Sequence, residues 1–170
     1  MDKRYYIGDI VYGANDGIIT TFAIVAGVIG AGLTSWIVLI IGFASLIADG
    51  FSMASSNYLA NRSEREVIDS VEGKRAHNHT NIYISSGLTF ISFVIAGLIP
   101  LLPYVFIDDF NNSFKYAVIF TVIALFVIGA SRSLITKRFW VISGVEMMII
   151  GGIAATAAYF IGQFISGIVS

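Results

Sequence analysis

The sequence has no cysteine, two prolines and few charges: Asp, Glu, Lys and Arg together make up 12% of 170 residues. Without cysteine there is no disulfide and no thiolate ligand, although this says nothing about the redox compartment. A soluble domain carries about 25% charged residues. This chain therefore has too few to cover a water-facing surface. No HExxH, CxxC, P-loop or GxSxG pattern is present either, so no motif supports catalysis, and a non-enzyme is expected. Both prolines fall in "GLIPLLPYVF", where they are expected to end an apolar run near the outer face.

What is present is apolar. Hydrophobic residues make up 56% of the chain, and five runs approach or exceed the roughly 20 residues a helix needs to cross a hydrocarbon core. They cover residues 10–33, 36–58, 82–104, 114–131 and 141–169. The expectation is an all-α polytopic protein with five transmembrane helices in one transmembrane domain, 1–170, with a short charged segment at 60–81. The first run is too long for a signal peptide and no A-x-A site follows it, so it reads as a retained span.

The basic residues fix the expected orientation. Lys3 and Arg4 precede the first run. Arg62, Arg65, Lys74 and Arg75 follow the second, and Arg132, Lys137 and Arg138 follow the fourth; only Lys115 falls on the other side. Nine against one is a strong positive-inside bias, which puts the N-terminus in the cytoplasm and requires an odd number of spans.

The acids do not obey the same partition. Asp9 sits at a membrane edge, and Asp16, Asp49 and Glu146 lie within apolar runs. A charge at the centre of a membrane helix costs at least ~2.5–3.5 kcal/mol on insertion scales. With no lysine or arginine near them in sequence, these carboxyls are expected to be protonated, to bind a cation or to line a wet cavity. Asp9 and Asp16 are two turns apart on one helical face with Tyr12, Gly13 and Thr20. Ser45, Asp49, Met53 and Asn57 form an i, i+4 series on the second span. Carboxylates suit hard ions and a thioether suits softer ones, so a mixed Asp/Met set favours a first-row divalent metal. A metal must displace protons from the carboxyls, so metal–proton exchange would follow.

Small residues suggest close helix packing. Ala158, Gly162 and Ser166 form a small-xxx-small ridge, which serves either packing within the chain or a homodimer seam. Five helices enclose a polar path with difficulty, which favours a dimer with the path near its axis. In "NRSEREVIDSVEGKRAHNHTN", Val67, Ile68 and Val71 share one helical face. The second helix is expected to run into the cytoplasm and stop near Gly73. His77, His79, Glu64, Glu66, Asp69 and Glu72 could attract cations there, although a solvated, charged linker is the simpler reading of them.

"DIVYGANDGIITTFAIVAGVIGAG" and "LIADGFSMASSNYLANRSERE" resemble the first two spans of the vacuolar iron transporter family, and "GLIPLLPY" and "SGVEMMIIGGIAATAAYFIGQFISG" are similar to later family patterns. The resemblance implies five spans, a homodimer, and export of cytoplasmic Fe(II), with Mn(II) as a second substrate, against protons. It implies that Asp9, Asp16 and Met53 line the path. Where iron-transporting plant members have a second-span glutamate, this chain has Ser45, and its acid, Asp49, comes one turn later. The glutamate-rich cytoplasmic domain of those members is reduced here to residues 60–81.

The expected metal-handling residues are thus Asp9, Asp16, Asp49, Met53 and Glu146, the last as a path-lining, proton-relay or structural carboxyl. Expected partners are Fe2+ or Mn2+ as transported substrate, protons, lipid and a second copy, with no cofactor and no nucleic acid. The competing readings are a non-transporting interaction or metal-sensing protein, and a passive cation channel. A prokaryotic cell membrane is expected, or a vacuolar membrane in a eukaryote.

Overall fold

The computed structural model describes residues 3–72, 81–107 and 109–169, and among these the regular structure is entirely α-helical. The helices are α1 (Lys3–Gly30), α2 (Ser35–Glu72), α3 (Ile82–Leu98), α4 (Leu102–Phe106), α5 (Phe110–Thr136) and α6 (Trp140–Val169). Of these, α1, α2, α5 and α6 are long and apolar enough to cross a membrane. The protein is an all-α polytopic membrane protein.

The third apolar run is not one continuous helix. α3 stops at Leu98 after 17 residues, about 26 Å at 1.5 Å per residue. Pro100 follows, and α4 begins with a proline in its first turn. Proline lacks an N–H and its ring crowds the carbonyl four residues back, yet it fits a helix start. The chain therefore breaks at 99–101 and restarts. α2 does continue past its apolar part to Glu72, as its charged amphipathic extension predicts. Gly73, Lys74, Arg75, His77 and His79 lie outside the described residues.

Helix ends are set locally. The α1–α2 turn has Gly32 at φ +69, with Leu33 N donating to Val28 O at 3.1 Å and Gly32 N to Ile29 O at 3.0 Å. This paired pattern with a left-handed glycine closes the orphan carbonyls of α1. At the starts of α3 and α5, the side chains of Asn81 and Asp109 accept from the Tyr83 and Asn111 amides at 3.0 and 2.9 Å, satisfying free helix N–H groups.

α1 occupies the middle of the bundle, packed against α2, α3, α5 and α6. It can do so because its glycines remove side chains where other backbones pass. A Cβ at Gly17 would collide with the Phe93 backbone of α3, and one at Gly30 with the Tyr159 backbone of α6. Close backbone approach through small residues is how membrane helices gain dispersion contacts where burial from water offers none. Gly13 meets Thr89 and Ser92 while Gly17 meets Phe93, so α1 and α3 run parallel; Gly27 meets Ala158 while Ser166 Oγ donates to Ala31 O at 2.9 Å, so α6 runs parallel to both. The Ala158–Gly162–Ser166 ridge is therefore occupied by α1 of the same chain. Packing within the chain is the use it serves.

Candidate metal-ion path

The α1–α2 contact carries most of the polar groups singled out in the sequence. α2 presents Asp49, Met53, Asn57 and Asn61 at four-residue intervals, one helical face. Every one of these side chains is half-buried. Across from this face lie Asp9 and Asp16 of α1.

Asp16 and Asp49 lie within electrostatic reach of each other. Asp16 is partly buried, feels the charge of Asp49, and interacts with the Thr20 hydroxyl one turn on. Among the described residues, no lysine or arginine ion-pairs with either carboxyl. Two carboxyls that feel each other's charge without a paired cation each hold a proton or other positive charge more readily. One residue before Asp16 in sequence, Asn15 Oδ1 is buried without a hydrogen-bond partner among the described residues. Sequence reasoning passed over Asn15. The only signal was its place in "GANDG", next to an intramembrane acid.

Asp9 is held differently. Its Oδ1 accepts from Asn57 Nδ2 at 3.2 Å, and its Oδ2 lies 2.6 Å from Ser85 Oγ. Ser85 Oγ is also 3.0 Å from Asn57 Oδ1. It has a single proton, which goes to the nearer acceptor, Asp9. Asn57 Oδ1 in turn accepts from Asn61 Nδ2 at 2.8 Å. Asp9 thus ties α1, α2 and α3 together at this end of the bundle, with both of its oxygens engaged.

Met53 lines a cavity of ≈ 300 Å³ together with Tyr12, Ser56, Asn57, Ala60, Asn61 and Glu64. Asn57 therefore connects the cavity wall to Asp9, and Asp49 lies one turn beyond Met53 on the same face. The structure groups the residues as two linked sets, Asp16–Asp49 and Met53–Asn57–Asp9. Among the described residues, no three His, Cys, Asp or Glu side chains converge as a cage for a resident ion. A string of spaced donors suits passage of an ion better than its storage.

Glu146 lies apart from both sets. Its carboxylate lies 4.0 Å from Arg132 Nη1 of α5, so it has a basic neighbour after all. α6 packs on α1 and α5 and has little contact with α2, so Glu146 is not brought to the Met53 cavity.

Apolar helices that carry internal carboxyls and a polar groove define a polytopic membrane protein. The chain belongs to the VIT family, whose profile matches residues 7–84 and 72–163. It is similar to the "Vacuolar iron transporter" of Centaurea cyanus, 29% identical over 208 residues covering 90% of this chain and 85% of that protein. It is also similar to "Vacuolar iron transporter 1" of Oryza sativa subsp. japonica, 29% identical with 90% and 82% covered, and to the "Vacuolar iron transporter" of Plasmodium berghei (strain Anka), 26% identical with 95% and 82% covered. A 208-residue alignment exceeds the 170 residues of this chain, so the relative has residues without counterpart here. The two family matches meet at 72–84, the α2–α3 connection. The chain is a short family member without the extended cytoplasmic domain.

Proposed function

We propose that the protein exports a divalent transition metal, Fe2+ or Mn2+, from the cytoplasm in exchange for protons. The observation that carries this reading is that Asp16 on α1 feels the charge of Asp49 on α2, two carboxyls within membrane helices with no described cation paired to either. A pair of this kind is electrically satisfied by one divalent ion or by protons, and alternation between the two is antiport. Asp16, Asp49 and Met53 are assigned as ligands along the path. Asp9 guards its cytoplasmic end, and Glu146 is a separate carboxyl near α5. The identity of the metal rests on the printed names of the relatives and on the thioether of Met53, which favours first-row ions over Mg2+ or Ca2+.

The working unit is a homodimer with five spans per chain and a cytoplasmic N-terminus. Parallel α1, α3 and α6, joined through α2 and α5, support five crossings, as does the clustering of basic residues at one end. The side of α2 adjoining the Met53 cavity carries Ala44, Ala48, Ser52, Ser56 and Ala60 at four-residue intervals, all exposed in the single chain. A second copy docked there would close the cavity and put the path near the dimer axis.

Metal uptake into liposomes containing the purified protein, with and without a pH gradient, tests the reading. Gradient-dependent Fe(II) or Mn(II) flux that is abolished in Asp16→Asn is the expected result. Flux that ignores the gradient makes the protein a channel, and absence of flux makes it a non-transporting member. If Asp16→Asn transports like wild type, the site is misassigned.

A further inference from the structure

The cavity beside Met53 extends well past the residues of the path. Its lining follows one face of α2, from Met53 through Asn57 and Asn61 to Glu64. The eleven steps from Met53 to Glu64 correspond to about 16 Å along the axis. One ion cannot touch both ends, so the cavity is a groove with two chemically distinct ends. At the Met53 end the donor is a thioether. At the Glu64 end the donors are oxygens.

The hydrogen bonds decide which oxygens are available. Asn57 is fully engaged: its Nδ2 donates to Asp9 and its Oδ1 accepts from Asn61. The Asn61 Nδ2 is committed to the Asn57 backbone and side chain, at 2.8 Å in both cases. The group that Asn61 has left to offer is its carbonyl oxygen, Oδ1. Glu64 is three residues further along, on the same face, and it lines the groove. Glu66 is different. It pairs with Arg62 at 3.0 Å and is not part of the lining. Of these two neighbouring glutamates, one is spent on a surface ion pair and the other faces the groove that leads to Met53.

We propose that Glu64 and the Asn61 carbonyl oxygen form a capture subsite for a hydrated divalent cation at the outer end of the Met53 groove. This rests on the transport reading above and extends it, since neither residue belongs to the path assigned there. A carboxylate and an amide oxygen with room for water discriminate poorly among Mg2+, Ca2+, Mn2+ and Fe2+, because all four accept oxygen ligands. Selection comes about 16 Å further in, at the thioether. The subsite raises the local cation concentration at the groove without choosing the ion. In a chain without the extended cytoplasmic domain of its relatives, this carboxylate occupies the approach to the path.

The test compares Glu64→Gln with Glu66→Gln, both exposed positions on a helix, in liposome uptake and in equilibrium Mn(II) binding. Binding is read from loss of the aqueous Mn(II) paramagnetic resonance signal, with Asp16→Asn as the background so that the inner site does not dominate. In uptake, Glu64→Gln is expected to raise the KM for Mn(II) about tenfold with little change in maximal rate, equivalent to one lost charge-assisted ligand. It should also weaken competition by Ca2+ and Mg2+ while leaving the order of preference between Mn(II) and Fe(II) intact. In the resonance measurement it removes the residual Mn(II) binding, and Glu64→Asp restores part of it. Glu66→Gln should change neither. Equal effects of the two glutamine variants reduce Glu64 to general surface charge and overturn the subsite, as do unchanged KM and binding in Glu64→Gln. If wild type carries no flux but its Mn(II) binding depends on Glu64, the transport reading fails and the subsite stands.

Discussion

At the scale of single residues, the structure separates side chains that hold the bundle from those positioned to meet an ion. Asn57 belongs to the first group. Its amide bridges Asp9 to Asn61, so Asn57→Ala strips a partner from a half-buried carboxyl. Leaving such groups unsatisfied costs about 1–3 kcal/mol. A lower unfolding temperature in detergent is therefore expected, and an unchanged one would mean that water replaces the amide at no cost. Met53 belongs to the second group. Met53→Leu conserves volume and removes only the sulfur. Flux should persist while the preference for Fe(II) over Mg(II) falls by about tenfold, one ligand's worth of free energy; competition assays in liposomes measure that ratio directly. Which residue falls in which group was only partly legible beforehand. The acids stand out in an apolar sequence because charge there is expensive. Their partners do not: Ser85 is 76 positions from Asp9, and Arg132 meets Glu146 from a different helix. A serine or an arginine at the end of an apolar run gives no sign of the helix it will face.

At the scale of helices, glycine placement decides which element lies at the centre. α1 and α6 are both apolar and rich in small residues, yet α1 is enclosed on four sides. Gly17 and Gly162 sit at backbone crossings, where a Cβ would strike the Phe93 and Gly27 carbonyls respectively, whereas Gly152 has nothing within 4 Å. Gly17→Ala and Gly162→Ala force helices apart and are expected to cost about 1–3 kcal/mol each. Gly152→Ala should be neutral or slightly stabilising, by at most about 1 kcal/mol, because alanine is the better helix former. Thermal unfolding of the three variants in one detergent orders them, and a Gly162→Ala protein as stable as Gly152→Ala would mean that the α1–α6 crossing is loose. The helices themselves were legible because hydrophobic length and proline position act locally, within the segment they describe. The small-xxx-small ridge of α6 was legible as a packing surface, but its partner was not. Close approach requires two surfaces, and one sequence periodicity specifies only one of them.

At the scale of the whole molecule, the open question is what covers α2. Its apolar part is poorly enclosed: Ile40, Ile47 and Phe51 are exposed, as lipid-facing residues should be, but so is the row of small residues from Ala44 to Ala60. Small side chains gain little from lipid and much from another helix backbone, which they allow to approach closely. A two-fold axis through this row would place like residues opposite one another, since an isologous contact pairs each patch with itself. The absence of cysteine makes the idea directly measurable. Ser52→Cys, near the middle of the row, introduces the only thiol in the chain. Mild oxidation should then join two copies, because helices in small-residue contact bring Cα atoms into the roughly 4.4–6.8 Å range a disulfide requires. Ile153→Cys, exposed on the lipid side of α6, should remain single under the same treatment. If Ser52→Cys stays single in membranes while the protein still carries metal, the path lies within one subunit, and the groove beside Met53 opens to lipid instead of to a second copy.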